Sequence, residues 1–559
     1  MNDSKEIDAQ LKAQRHIAEE NDARRRAERF KLPYLDLISV RVPTELKAMA
    51  LIKEAEARAS FLVPLQIVRT KLLVAVLNPD FPTTKETLAR LKKDYELNVM
   101  VVSRTSLEHA WEYYRAIPEE TADISGKVTI DEAHFKTYLA QIKTISDLTD
   151  AITNFKSPLT SQILEIILAG ALSLGTSDIH LEAGEHAGTV RIRIDGILHD
   201  VCTTLTPHNY MLIVTRIKLL SNLKINVQHE AQDGRFTITL SDRDIEMRTS
   251  IIPSEFGETV VMRILDPRSL NTKLETLGWR PDDLVIIEDI LKRPNGLILN
   301  TGPTGSGKTT TLYAFLKHMY SKEIKIITIE DPVEYHLEGI SQTQVNNETD
   351  YTFANGLRSI LRQDPDVILV GEIRDRETAE IAMNASLTGH LVFSTLHTND
   401  AVGAIPRLID LGAQPHIIGP AISLVIAQRL VRVLCPHCKI STPITSELKN
   451  QIDQFFTQLP HRVDRTPYHS YELFTAKGCE QCGGIGYHGR TSLFELFIIT
   501  KDLEELIYQS PSVIQLKDLA RAQGMTTMQE DGMLKILRGI TDKDEVERLT
   551  GPLPWFPRV

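Results

Sequence analysis

The sequence predicts an α/β protein of several domains, with a parallel-sheet domain forming its C-terminal half. Three observations carry that prediction. From about Leu277 onward, apolar strand-like runs alternate with helical patterns, the signature of a parallel sheet covered by helices. A glycine-rich loop at 302–309 sits between one such run and a helix, and two further runs end in clusters of acids. A chain of 559 residues has room for about three or four domains. The expected boundaries are a first domain at 1–125, a linker at 126–157, a second domain at 158–266, a short linker at 267–276 and a third domain at 277–559.

Residues 1–30 read as a solvated helix, in which "ARRRAERFK" is an exposed face rather than a nucleic-acid contact. "KLLVAVLNP" (71–79) and "LNVMVVS" (97–103) read as strands. "TKETLARLKKDY" (84–95) reads as a helix capped by a threonine, giving a compact α/β domain without a catalytic motif. The polar stretch 118–155 is expected to hold a linker and one helix. In the second domain, "LTSQILEIILAGALSLG" (159–175) has helical spacing. The short alternating runs after it, among them "TVRIRIDGILHDV" and "TVVMRIL", predict an antiparallel sheet.

Composition narrows the functional classes. Apolar residues make up 42% and charged residues 25%, ordinary for a globular chain. The net charge of −11 argues against a surface that coats nucleic acid, so no direct nucleic-acid partner is expected. The first 30 residues carry no apolar segment of signal-peptide type. The charge-free run "LGAQPHIIGPAISLVIAQ" (411–428) contains two prolines and two glycines, so a buried core helix is expected there rather than a bilayer span. A cytoplasmic protein that reaches a membrane only through partners is the expectation.

The strongest motif is "NGLILNTGPTGSGKTTTLYAFLKHMY" (295–320). Gly302, Pro303, Thr304, Gly305, Ser306, Gly307, Lys308 and Thr309 fit G-x-x-x-x-G-K-[ST], followed by Thr310. Glycines let backbone N–H groups turn inward around a phosphate, and the following helix aims its positive end at the same anion. Lys308 would reach the β- and γ-phosphates, and the Thr309 hydroxyl would meet Mg2+. Two acidic edges follow. "IITIEDPVEY" places Glu330, Asp331 and Glu334 after one strand, and "DPDVILVGEIRD" (364–375) places Glu372 after another. In an open α/β sheet those C-terminal edges are where ligands bind. "HLVFSTLH" is a further strand with His390 and His397 at its ends. The polar run leaving it could contact the γ-phosphate or relay the nucleotide state.

The order GPTGSGKTT, IEDPVEY, LRSILRQDPDVILVGEIRD and TGHLVFSTLHTNDA resembles the secretion ATPase superfamily, and within it the ATPases of type II secretion and type IV pilus assembly. The likeness implies a RecA-like motor domain that binds ATP and Mg2+ and a PAS-like second domain packed over the nucleotide. By that resemblance Lys308 and Thr309 hold phosphate and magnesium, Glu330 polarises the attacking water, and Glu372 supports the magnesium. His390 and His397 match the family's His box. A carboxylate beside a metal stays ionised and is a weak base, so a second acid farther away suits water activation. An arginine from the second domain is expected to stabilise the transferring phosphoryl group. The candidates are Arg191, Arg193, Arg216, Arg235, Arg248 and Arg263, with Arg235, Arg248 and Arg263 preferred.

"LCPHCK" and "GCEQCGGIGYHGR" place Cys435 and Cys438, and then Cys479 and Cys482, in two C-x-x-C pairs within 433–490. Two such pairs suit one tetrahedral zinc ion. A thiol oxidoreductase motif is the competing reading of Cys-Pro-His-Cys alone, but no thioredoxin-like unit surrounds it. Cys202 stands alone as a core residue. In the resembled family the tetracysteine accompanies assembly and secretion motors. The resemblance therefore implies a homohexameric ATPase that powers type IV pilus assembly through an inner-membrane platform protein, or alternatively type II secretion or DNA uptake. A scaffold that binds ATP without turnover is disfavoured by intact Lys308, Glu330 and Glu372. No paired "RLG" motif occurs in the N-terminal region, so that domain is expected to dock partners rather than bind cyclic di-GMP.

Overall fold

The computed structural model describes residues 18–39, 45–68, 71–116, 127–128, 132–154, 160–268 and 272–556. The expected boundaries at 125/126 and 157/158, and part of the 267–276 linker, lie outside them. The chain divides into two compact units, Met1–Asp266 and Pro267–Val559.

The first unit holds two sheets. Strands β1 (Leu62–Val68), β2 (Lys71–Val76) and β3 (Glu96–Val101) form a small sheet, β1–β2 antiparallel and β2–β3 parallel. The parallel step needs a crossover, which the helix Pro82–Leu91 supplies. Its N-cap is Phe81 with Pro82 at the first helical position, not the expected threonine. The second sheet has the order β4-β8-β9-β10-β5-β6-β7, from β4 (Lys127–Val128), β5 (Thr176–Glu182), β6 (Gly188–Ile194), β7 (Ile197–Leu205), β8 (Gln232–Thr239), β9 (Asp244–Ser254) and β10 (Gly257–Leu265). All its pairings are antiparallel except β4–β8. Burial alternates strictly along β6, as expected of strands with one face on a core. The stretch read as a linker with one helix holds two helices, Glu132–Gln141 and Ile145–Thr153. Both pack on the helix Thr160–Ser173, and on the second of them Leu148 and Ile152 recur at helical spacing and are buried.

The second unit is built on the order β13-β12-β14-β15-β11-β16-β19. These strands are β11 (Gly296–Thr301), β12 (Ile326–Glu330), β13 (Ser341–Gln344), β14 (Val367–Val370), β15 (Leu391–Leu396), β16 (Ile422–Leu434) and β19 (Tyr487–Ile498). All pairings are parallel except β16–β19. The four residues of β14 are all buried and alternate between two cores: Ile368 and Val370 join one, Val367 and Leu369 the other. A parallel strand covered on both faces requires such a continuous apolar run.

The run 411–428 is not one helix. Pro415–Ala421 is helical and Ile422 begins β16, so Gln428 lies inside a central strand. Periodicity cannot tell a short buried helix from a buried strand. The second half of the expected linker is also structured: Leu274–Leu277 is a 3-10 turn whose Leu274 and Leu277 join the core. Strands β17 (Ile440–Thr442) and β18 (Leu473–Thr475) pair between the two cysteine pairs, beside the helix Ser446–Gln458. Among the described residues, no helix is long and apolar enough to cross a membrane.

Candidate active site and tetracysteine site

The parallel register brings several motifs to one edge. Gly296 pairs with Leu391 and Thr301 with Leu396, so the glycine loop after β11 and His397 after β15 leave the same end of the sheet. The helix Lys308–Met319 opens directly from the loop, directing free N–H groups toward its mouth. Gly302 has φ +150°, and a Cβ there would stand 2.5 Å from the Gln428 carbonyl, so only glycine fits. Gln428 also accepts from Thr311 Oγ1 (2.9 Å) and Asn300 Nδ2 (2.8 Å), and donates to Ser492 Oγ (3.0 Å). This buried amide ties the loop's strand and helix to β16 and β19. Pro303, Thr304, Gly305, Thr309 and Thr310 are exposed, whereas Ser306 is buried. The Lys308 ammonium donates to the carbonyls of Gly302 (2.9 Å) and Pro303 (3.0 Å). Burial lowers its pKa, and the charge of Glu372 opposes that shift.

Glu372 sits at the centre of the charged cluster. Its side chain is 14% exposed and pairs with Arg374 at 2.5 Å and with His397 Nε2 at 3.5 Å. The hydrogen bond to Glu372 raises the Arg374 pKa. Gly371, just before it, packs close to the end of β12: a Cβ would meet Glu330 Cα and the Ile329 oxygen at 3.3 Å, and Gly371 N–H donates to that oxygen at 2.8 Å. Thr301 Oγ1 and Thr398 Oγ1 lie 2.7 Å apart, and Thr398 N–H donates to Thr301 Oγ1 at 2.8 Å, locking the loop after β15 to the phosphate-loop strand.

Two of the expected site residues lie in closed surroundings. Glu330 is only 4% exposed, and both of its oxygens are engaged. Oε2 accepts from the Tyr313 hydroxyl, and Oε1 accepts from Thr328 Oγ1 (2.6 Å) and Gln342 Nε2 (3.2 Å). Three donors already engage this carboxylate, and little of it meets solvent. Glu334, four residues on in the same acidic turn, is partly exposed. The second is His390. It precedes β15, opposite the start of β11, at the far edge of the sheet. Six residues of strand separate it from His397, roughly 20 Å at about 3.3 Å per residue. Its Nδ1 lies 3.0 Å from the Ala385 carbonyl, at the end of the helix Arg376–Leu387. It closes a helix end.

The preferred arginines form a row. Arg235 pairs across strands with Arg248, and Arg248 with Arg263, so all three share one face. Arg263 donates to Asp178 at 3.0 Å, Arg193 lies 3.7 Å from Asp178, and Arg248 lies 3.7 Å from Glu246. Arg191 pairs with Glu182 and Asp200, and Arg216 lies on the helix Pro207–Leu220, its pKa lowered by burial.

The four cysteines converge, with all Sγ atoms within 4.8 Å of one another. Cys435–Cys479 is 3.9 Å, Cys438–Cys482 is 3.8 Å and Cys479–Cys482 is 3.7 Å. A tetrahedron of sulfurs about 2.3 Å from zinc has edges of about 3.8 Å, so the set fits that ion. Burial would push the Cys482 thiol up, but N–H groups of Cys479 and Gly486 donate to its sulfur and lower it to about 7. Cys202 is buried apart from the others, in β7.

The family described as "Type II/IV secretion system protein" matches residues 154–548. This chain belongs to that family. The MshEN domain matches residues 30–121. The chain is similar to Type II secretion system protein E of Aeromonas hydrophila, 44% identical over 391 residues, covering 70% of this chain and 75% of that protein. It is 38% identical over 513 residues to Type II secretion system ATPase E of Vibrio cholerae, covering 89% and 98%. The Legionella pneumophila ATPase DotB, 21% identical with a TM-score of 0.51, covers 71% of this chain and 97% of DotB and shares the RecA-like fold. The chain is a P-loop ATPase of the secretion family.

Sequence reasoning missed Gln428, Tyr313, Gln342 and Arg374. Gln428 was hidden in a run read as helix. Tyr313 and Gln342 look like ordinary core and edge residues until the sheet order brings them together. Arg374 was legible as a cation two residues from Glu372.

Proposed function

We propose that this chain is the ATPase of a type II secretion system, a homohexamer that hydrolyses ATP in the cytoplasm and drives an inner-membrane platform protein. The observation that carries the reading is the near full-length similarity to a type II secretion system ATPase E. Pilus assembly, the first expectation from the sequence, has less support, because these relatives carry the secretion name. The Glu372–Lys308–His397 cluster beside the phosphate loop favours turnover over a passive scaffold.

In this reading the loop amides from Gly302 to Thr310 and Lys308 hold the phosphates. Thr309 and Glu372 offer the hard oxygen donors that Mg2+ takes, at the correct sheet edge. Bound Mg2+ would neutralise charge on the phosphates. His397 would sense the γ-phosphate through Glu372, and Glu334, rather than Glu330, would activate the water. Arg235, Arg248 and Arg263 are the candidates for an arginine that stabilises the transferring phosphoryl group. Cys435, Cys438, Cys479 and Cys482 would hold a structural zinc.

Steady-state ATPase assays test the roles. Glu334→Gln should lower kcat by about a hundredfold or more with ATP binding retained, the usual weight of a general base. Wild-type turnover in that variant would remove the base assignment. The system is tested by deleting the gene in its host. Loss of exoprotein release with surface pili intact is expected; loss of pili with normal release would return the reading to pilus assembly.

A further inference from the structure

The acidic turn after β12 has no regular secondary structure between Val333 and Leu337, so its backbone groups lack ladder partners. Two side chains supply them. The backbone amides of Glu334 and Tyr335 lie close enough to the Tyr313 hydroxyl to lower its pKa. Gln342 donates to the Tyr335 carbonyl (2.9 Å) and to Glu330, and its own Oε1 accepts from Leu337 N–H (2.6 Å). Gln342 Nε2 also lies 3.4 Å from the Tyr313 hydroxyl. Tyr313 is buried on the phosphate-loop helix, between Leu312 and Ala314 of the same core, and donates to Glu330.

A phenylalanine would fill that core space equally well, as Phe315 and Phe393 do beside it. The hydroxyl therefore serves its polar partners. Burying tyrosine, glutamate and glutamine together is unfavourable unless every group is satisfied, and such a satisfied network specifies one geometry. Burial first, and then the Glu330 charge, raises the Tyr313 pKa, so the hydroxyl keeps its proton and donates to the carboxylate.

We propose that Tyr313, braced by Glu330 and Gln342, is a positioning residue that fixes the distance between the phosphate loop and Glu334. The hydroxyl is a strut: one end belongs to the helix that starts at Lys308, and the other meets Gln342, which holds the Tyr335 carbonyl next to Glu334. This inference rests on the reading of Glu334 as the water activator.

The test is kinetic, on the full chain. Tyr313→Phe should lower kcat about ten- to hundredfold while KM for ATP stays within about twofold, because a small misplacement of a reacting group costs that much. Gln342→Ala, which removes the second clamp, should show the same split. In a Glu334→Gln background Tyr313→Phe should have no further effect on single-turnover hydrolysis. Wild-type kcat in Tyr313→Phe would overturn the proposal. So would an equal fold-loss in the Glu334→Gln background, or a joint loss of nucleotide affinity and thermal midpoint in both single variants. If Glu334→Gln turns over normally, the base assignment itself fails. If Glu334→Gln is inactive and Tyr313→Phe is not, only the strut fails.

Discussion

Glu495 lies in β19, 5% exposed, and accepts from Ala401 N–H at 2.9 Å, in the loop that follows His397. Burial raises its pKa to about 7, and nearby Asp400 adds to the shift, while the Ala401 and Met528 amides and Lys517 oppose it. Below pH 4.5 the group is protonated folded and unfolded, and the folded state has its full stability. Between 4.5 and 7 the unfolded chain releases the proton while the fold retains it. Stability should fall through that window by about 1.4 kcal/mol per pH unit, about 3 kcal/mol in all, and stay lost above it. Glu495→Gln keeps an acceptor for Ala401 and removes the titration. In a Trp111→Phe background, the two remaining tryptophans, Trp279 and Trp555, both report on the second unit. Urea unfolding followed by their fluorescence from pH 4 to 8 should give a flatter stability profile for Glu495→Gln than for its parent. Parallel profiles would refute the argument, because they would mean that Glu495 ionises inside the fold as it does outside.

Other outcomes follow from the same geometry. Arg280 is buried between Asp283 (2.8 Å) and Asp531 (3.0 Å), so Arg280→Ala should destabilise the second unit by about 3–5 kcal/mol, read as a lowered melting midpoint. Replacing Cys435 and Cys479 by serine should take zinc, measured by atomic emission, from one per chain to near zero. Full retention would remove the site. His390→Ala should leave kcat and KM within about twofold of wild type and shift stability by at most about 1 kcal/mol, because it loses one helix-end hydrogen bond; a large kcat loss would restore His390 to the active site.

The motifs were legible because their chemistry is local. Eight consecutive residues make a phosphate loop, and two C-x-x-C pairs each present two sulfurs whatever lies between them. Strand–helix alternation likewise announced a parallel sheet. His390 and His397 show where this kind of reading stops. They flank one strand and look equivalent on paper, yet a parallel strand puts its two ends on opposite edges of the sheet. Glu330 shows the same limit. It ends an apolar strand as a catalytic acid would, and only the fold brings Tyr313 and Gln342 around it.

By itself the sequence determined the α/β class, the phosphate loop and the two C-x-x-C pairs, since each depends on neighbours within a few residues. The tertiary structure alone decided which acid is enclosed and which histidine faces the loop. It also brought Gln428 against the phosphate loop and Tyr313 against Glu330. Those choices depend on the order β12-β14-β15-β11-β16, which joins residues more than a hundred positions apart through backbone pairing and burial.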